Sequence, residues 1–127
     1  MSTPTDRLYT KEHEWAKIDG QTAVIGITDY AQSSLGDIVY VEMPKPGASV
    51  ERGKPMGVVE SVKAVSDIYA PVSGTVAEVN ASVEDDQTKV NNDPYGEGWL
   101  VKVTVRAASD KTDLMDAASY DELVKSL

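Results

Sequence analysis

The chain contains no cysteine. Disulfides, zinc–thiolate centres and a cysteine nucleophile are therefore excluded. The absence would suit a protein that carries a foreign dithiol, since it has no thiol of its own to form a mixed disulfide. Phenylalanine is absent too, so the core must come from aliphatic residues, Met, six Tyr and two Trp. Positive charge is scarce: 12 Lys and Arg stand against 21 Asp and Glu, a net charge of −9. Phosphate backbones are bound by clustered Lys and Arg, so nucleic acid is not an expected partner. Acidity favours solubility and can speed encounter with basic docking surfaces. No apolar run reaches the length of a membrane span, so no membrane association is expected. Met1 to Asp6 carry no basic segment followed by an apolar one, which argues against a secretory signal. The expected compartment is the bacterial cytoplasm, or an organelle if a transit peptide has been removed. His13 is the single histidine. It has no further nitrogen or sulfur ligands and no nucleophile beside it, so a structural or partner-rim role is expected, with no metal site.

At 127 residues with a 41% hydrophobic fraction, the chain reads as a single domain, residues 1–127. Its pattern is mainly β. Asp19-Gly20 separates two strands, Trp15 to Ile18 and Thr22 to Ile27. Thr28 to Gly36 reads as a short helix, capped by Thr28 or Asp29 and ended by Gly36. Asp37 to Met43 is a strand, and Pro44-Lys45-Pro46-Gly47 a turn. Ala48-Ser49-Val50-Glu51 recurs as Ala81-Ser82-Val83-Glu84. Each copy follows a glycine-led strand, which suggests a pseudo-symmetric β sandwich or flattened barrel. Residues 84–98 read as a polar loop. Trp99, Val101, Val103 and Val105 alternate onto one buried face. The tail, about 110–127, takes helical period, with Asp116 as a cap and Leu114, Ala117 and Ala118 on its apolar side.

Between the repeated halves lies Val59-Glu60-Ser61-Val62-Lys63-Ala64-Val65-Ser66-Asp67-Ile68, part of a hairpin over about 57–71. The stretch is close to a palindrome about Lys63-Ala64. A two-residue turn there would set Val62 against Val65, Ser61 against Ser66, Glu60 against Asp67 and Val59 against Ile68. Lys-Ala lacks the Asn-Gly chemistry of a tight turn. Like charges directly opposite each other also weaken a ladder. Both choices make sense if the hairpin exists to present Lys63 at its tip. An ordinary solvated turn lysine is the competing reading.

Six motifs resemble the glycine cleavage system H-protein family over nearly the whole length. They are Glu12-His13-Glu14-Trp15, Gly26-Ile27-Thr28-Asp29-Tyr30-Ala31-Gln32, Leu35-Gly36-Asp37-Ile38-Val39, Glu60 to Asp67, Ala70-Pro71-Val72-Ser73-Gly74, and Asp93-Pro94-Tyr95-Gly96-Glu97-Gly98-Trp99. The resemblance implies a mainly β lipoyl/biotinyl barrel-sandwich hybrid, or hammerhead, with a short N-terminal helix and a C-terminal helix. It implies that Lys63 receives lipoic acid in an amide bond and that the chain is a carrier, not an enzyme. The partners implied are a pyridoxal-phosphate-dependent glycine decarboxylase, a tetrahydrofolate-dependent aminomethyltransferase and a FAD-dependent dihydrolipoyl dehydrogenase. A lipoate ligase or lipoyl transferase would attach the cofactor, and the protein is expected to be monomeric. Glu14 and Asp67 match positions of the cleft that shelters the loaded arm in that family. The chain departs from the family at Asp85-Asp86-Gln87-Thr88-Lys89, where a proline-containing segment is usual.

Other classes compete. A lipoyl domain of a 2-oxoacid dehydrogenase complex would share the lysine but is usually shorter and linker-tethered. A role in relaying lipoate to other proteins is compatible with the same site. Biotin carriers usually place methionines beside the lysine, where this chain has Val62 and Ala64. A Schiff-base enzyme would need a desolvated lysine, which a hairpin tip does not offer. A purely structural β module would leave Lys63 unmodified.

Overall fold

The computed structural model describes residues 3–106 and 114–127. Its strands are β1 (Leu8–Tyr9), β2 (Glu14–Asp19), β3 (Thr22–Ile27), β4 (Ile38–Glu42), β5 (Ser49–Val50), β6 (Pro55–Ser61), β7 (Val65–Tyr69), β8 (Gly74–Val79) and β9 (Val101–Val105). The helices are α1 (Asp29–Leu35), α2 (Ala81–Asp85), α3 (Thr88–Asn92) and α4 (Ala117–Lys125). A six-stranded sheet runs in the order β1-β2-β3-β9-β8-β5, and a three-stranded sheet in the order β4-β6-β7. All pairings are antiparallel.

Alternation along the strands explains the core. Ile25, Val76, Val101 and Val103 of the larger sheet share one buried cluster with Ile38, Val41, Val59 and Ile68 of the smaller. Burying each such side chain contributes about 1.5–3 kcal/mol. Tyr9, Trp15, Ala117 and Tyr120 form a second cluster where α4 docks. The Tyr9 and Tyr120 rings stack at 4.9 Å, and Tyr9 exchanges both backbone hydrogen bonds with Met115. Trp15 pairs with Gly26 across β2–β3, and its indole occupies the space a side chain at 26 would fill. The expected α1 helix is present, with the Thr28 hydroxyl accepting from Ala31 N–H and Gly36 at φ 81° ending it.

Several sequence expectations are corrected. The repeated tetrapeptide folds two ways: Ser49–Val50 is strand β5, while Ala81–Asp85 is helix α2. Asn80 caps α2 through Ser82 N–H, whereas Ser49 and Val50 pair with Thr75 and Gly74. Neighbours outside the tetrapeptide therefore set its conformation. The polar loop 84–98 holds the end of α2 and all of α3, pinned by the fully buried Val83 and Val90. Residues 94–98 are turns, in line with an expected segment of mostly turns at 93–98. Trp99 packs against the second cluster rather than with Val101 and Val103. The first turn centres on Gly20-Gln21, since Asp19 pairs with Thr22. Helix α4 starts at Ala117 with Asp116 as its cap, and Ala118 is exposed. The part of the tail at 110–113 lies outside the described residues.

Candidate functional site

The hairpin β6–β7 exists, but its register differs from the palindrome. Val59 faces Ser66, Glu60 faces Val65, Val58 faces Asp67 and Gly57 faces Ile68. Ser61 N–H donates to the Ala64 carbonyl at 2.8 Å, so the turn centres on Val62-Lys63. The Ser61 hydroxyl decides this. It is buried and accepts from Lys63 N–H (3.3 Å) and Ala64 N–H (3.1 Å). A serine that satisfies turn amides with its side chain replaces the glycine a tight turn prefers. The expected direct opposition of Glu60 and Asp67 is therefore absent. Each acid faces a valine instead.

The turn is held from the side as well. Val62 N–H donates to the Asp37 carbonyl at 3.0 Å. Asn91 of α3 accepts from Ile38 N–H and donates to the Gly36 carbonyl and to Gln32. The junction between α1 and β4 is thus fixed beside the turn. Lys63 is exposed, and its Cε lies 3.5 Å from where a Gly36 Cβ would stand. The amine therefore sits on a rigid apex, with its stem leaning over the end of α1.

Glu14 is not a solvated strand residue. It is 2% exposed. Thr10 Oγ1 donates to Oε1 at 2.6 Å and Tyr69 N–H donates to Oε2 at 3.1 Å. Strand β7 is an edge of the smaller sheet, so its outward N–H at Tyr69 needs an acceptor, which β2 supplies from the larger sheet. Burial pushes the Glu14 carboxyl up to about 7, against the lowering effect of those two hydrogen bonds. Glu14 lines a groove of about 380 Å³ with Thr10, Arg52, Tyr69, Pro71 and Met115. Asp67 is exposed, two residues before Tyr69 on β7. His13 is structural: Nδ1 lies 2.8 Å from Tyr120 Oη, and its ring stacks on Tyr30 at 4.7 Å. Burial holds its pKa below the usual histidine range.

The model of the family described as Glycine cleavage H-protein matches residues 7–127. The chain belongs to that family. It is 53% identical over 126 residues to the glycine cleavage system H protein of Thermus thermophilus, covering 99% of this chain and 98% of that one. It is 56% identical over 117 residues to the H protein of Rubrobacter xylanophilus, covering 92% and 90%. The crystal structure of the H protein from Mycobacterium marinum superposes with a TM-score of 0.89 at 41% identity, covering 98% of this chain and 99% of that one. As a glycine cleavage H-protein the chain is a carrier and not an enzyme. Its two-sheet architecture is the barrel-sandwich fold expected of the family. Among the described residues, no helix is long and apolar enough to cross a membrane.

Sequence reasoning missed Ser61, Asn91, Thr10 and Tyr69 as parts of this site. A serine ahead of a turn without glycine was the one local signal, for Ser61. Asn91 and Tyr69 act across long sequence separations and leave no local mark, and Thr10, four residues from Glu14, depends on the turn before β2 that aims its hydroxyl back.

Proposed function

We propose that this H-protein is the lipoyl carrier of a glycine cleavage system, with the cofactor in amide linkage to Lys63. The observation that carries this reading is the exposed Lys63 amine at the centre of a turn whose backbone is fixed by Ser61, Asp37 and the hairpin ladder. Attachment needs that accessibility: Nζ attacks the carbonyl carbon of a lipoyl-adenylate, the C–N bond forms, the bond to AMP breaks, and the amine proton passes to solvent. When bound, the group supplies a disulfide that takes up the aminomethyl group of glycine at the pyridoxal-phosphate-dependent decarboxylase, yields it to the tetrahydrofolate-dependent aminomethyltransferase and is reoxidised by the FAD-dependent dihydrolipoyl dehydrogenase. The role of the hairpin is to hold the attachment point still while the far end travels.

Glu14 and Asp67 are proposed to receive the loaded amine. Glu14 stands at the opposite end of β7 from the turn, in a groove open to solvent. An ammonium placed beside its carboxyl favours the ionised form and reverses the effect of burial. Asp67, being exposed, contributes a weaker, screened attraction. The chain is read as a single cytoplasmic domain working as a monomer.

The test combines modification and exchange. Incubation with a lipoate ligase, lipoate and MgATP should add one lipoyl group at Lys63, read by intact mass and peptide mapping. Lys63→Arg should fold as wild type, take no adduct and support no glycine–bicarbonate exchange with the partner enzymes. Exchange near the wild-type rate in that variant overturns the assignment.

A further inference from the structure

Four of the five large apolar side chains that the described residues expose lie at one end of the molecule. They are Val39 (54% exposed), Tyr40 (45%), Val62 (69%) and Val65 (67%). The register shows how they come together. Ladder pairing steps from Ile38–Ser61 to Tyr40–Glu60, leaving Val39 as the extra residue of a β-bulge. Regular alternation would turn either Ile38 or Val41 outward. The bulge lets both stay buried while Val39 and Tyr40 both face solvent. Tyr40, Glu60 and Val65 then form one row across β4, β6 and β7, and Glu42, Val58 and Asp67 form the next row on the same face. Val62 and Lys63 stand at the tip.

Bulges cost regular pairing, and native chains use them to re-aim side chains. Here the result is an apolar collar beside a single amine, with Asp37, Glu42, Glu60 and Asp67 around it. We infer that this collar, including the bulge on β4, is the docking surface for the enzyme that acylates Lys63. The inference rests on the reading of Lys63 as the attachment site. Such an enzyme differs from the others in one physical respect. It must bring Nζ itself to its reacting atoms, so it must cover whatever surrounds the tip. Enzymes that act on the far end of an attached arm have no such need. The acidic surround calls for a partner whose active-site mouth is apolar and edged with Lys and Arg. It disfavours a second copy of this chain, whose collar would bring the same acids face to face.

The experiment uses the full unmodified chain with a lipoate ligase, lipoate and MgATP, and follows acylation of Lys63 by intact mass. The triple variant Val39→Thr, Val62→Thr, Val65→Thr keeps β-branched shape while removing apolar contact. Its fold is checked by circular dichroism and thermal melting. Its kcat/KM should fall about tenfold or more, through KM, because a docking contact contributes equally to ground and transition states. Val39→Thr alone tests the bulge and should give part of that loss. Leu127→Ser, at an exposed apolar residue outside the collar, should leave kcat/KM unchanged. Folded collar variants acylated at the wild-type kcat/KM overturn the inference, as does a loss confined to kcat. A wild-type dimer in sedimentation that the triple variant dissociates overturns it in favour of self-association. Failure of the wild-type chain to be acylated overturns instead the assignment of Lys63.

Discussion

Glu14 shows how much one buried carboxyl can couple. Its two oxygens tie the Thr10 hydroxyl and the Tyr69 amide to β2, and its pKa is raised from 4.5 to about 7. A carboxyl whose folded pKa lies above its unfolded value holds its proton more tightly in the folded state. Its contribution is therefore full below pH 4.5 and is lost as pH rises through about 7. The part of stability that depends on this group should decline by up to about 3 kcal/mol over that window. Glu14→Gln keeps an acceptor for Tyr69 N–H and replaces the oxygen that accepts from Thr10 by an amide NH2, without a titratable proton. Urea unfolding at pH 5 and pH 8 should show a smaller difference for this variant than for wild type. An unchanged difference would place the pH dependence elsewhere. His13 acts in the opposite sense, since its folded pKa is depressed by burial: its contribution is present above the unfolded pKa and lost as pH falls.

At the scale of the element, the β6–β7 hairpin depends on a side chain where a tight turn would normally use glycine. Ser61 is buried and its hydroxyl accepts both turn amides. Ser61→Ala would leave those donors with poorer partners, at about 1–2 kcal/mol. Hydrogen exchange at the Lys63 and Ala64 amides should speed up selectively, while the Val59 amide stays protected. Uniform acceleration through β6 and β7 would mean that the ladder, and not the hydroxyl, sets the turn. The same hydroxyl accounts for the shifted register. The palindrome showed which residues share a hairpin, and the turn chemistry moved its centre by one residue. Pairing depends on which turn is satisfied, and symmetry of letters does not determine that.

At the scale of the whole molecule, two clusters are joined by a polar relay. Tyr120 of α4 is 2% exposed, and its Oη lies 2.8 Å from His13 Nδ1 and 2.7 Å from Thr28 Oγ1. Thr28 in turn caps α1. One phenol thus links the C-terminal helix, the β1–β2 turn and the helix whose end lies beside Lys63. Tyr120→Phe keeps the Tyr9 stack but removes the partner of the half-buried His13 Nδ1 and one partner of the buried Thr28 hydroxyl, at about 1–3 kcal/mol. Thermal melting should drop by about 4–11 °C. A drop within error would show that α4 is held by ring packing alone.

Local patterning in the sequence sufficed for the β-rich class, the caps at Thr28, Asp116 and Gly36, the Lys63 hairpin and the family. Each rests on residues close together, where alternation, capping chemistry or motif spacing leaves a direct trace. Only the tertiary structure decided the pairing register, the two folds of one tetrapeptide, the helices inside the polar loop and the burial of Glu14. The register turned on how the Ser61 hydroxyl satisfies the turn amides, and the others depend on partners far along the chain, such as Tyr69 for Glu14 and Thr75 for Ser49. A strand offers hydrogen-bonding groups to either side, and which neighbour accepts them is settled when the sheets pack.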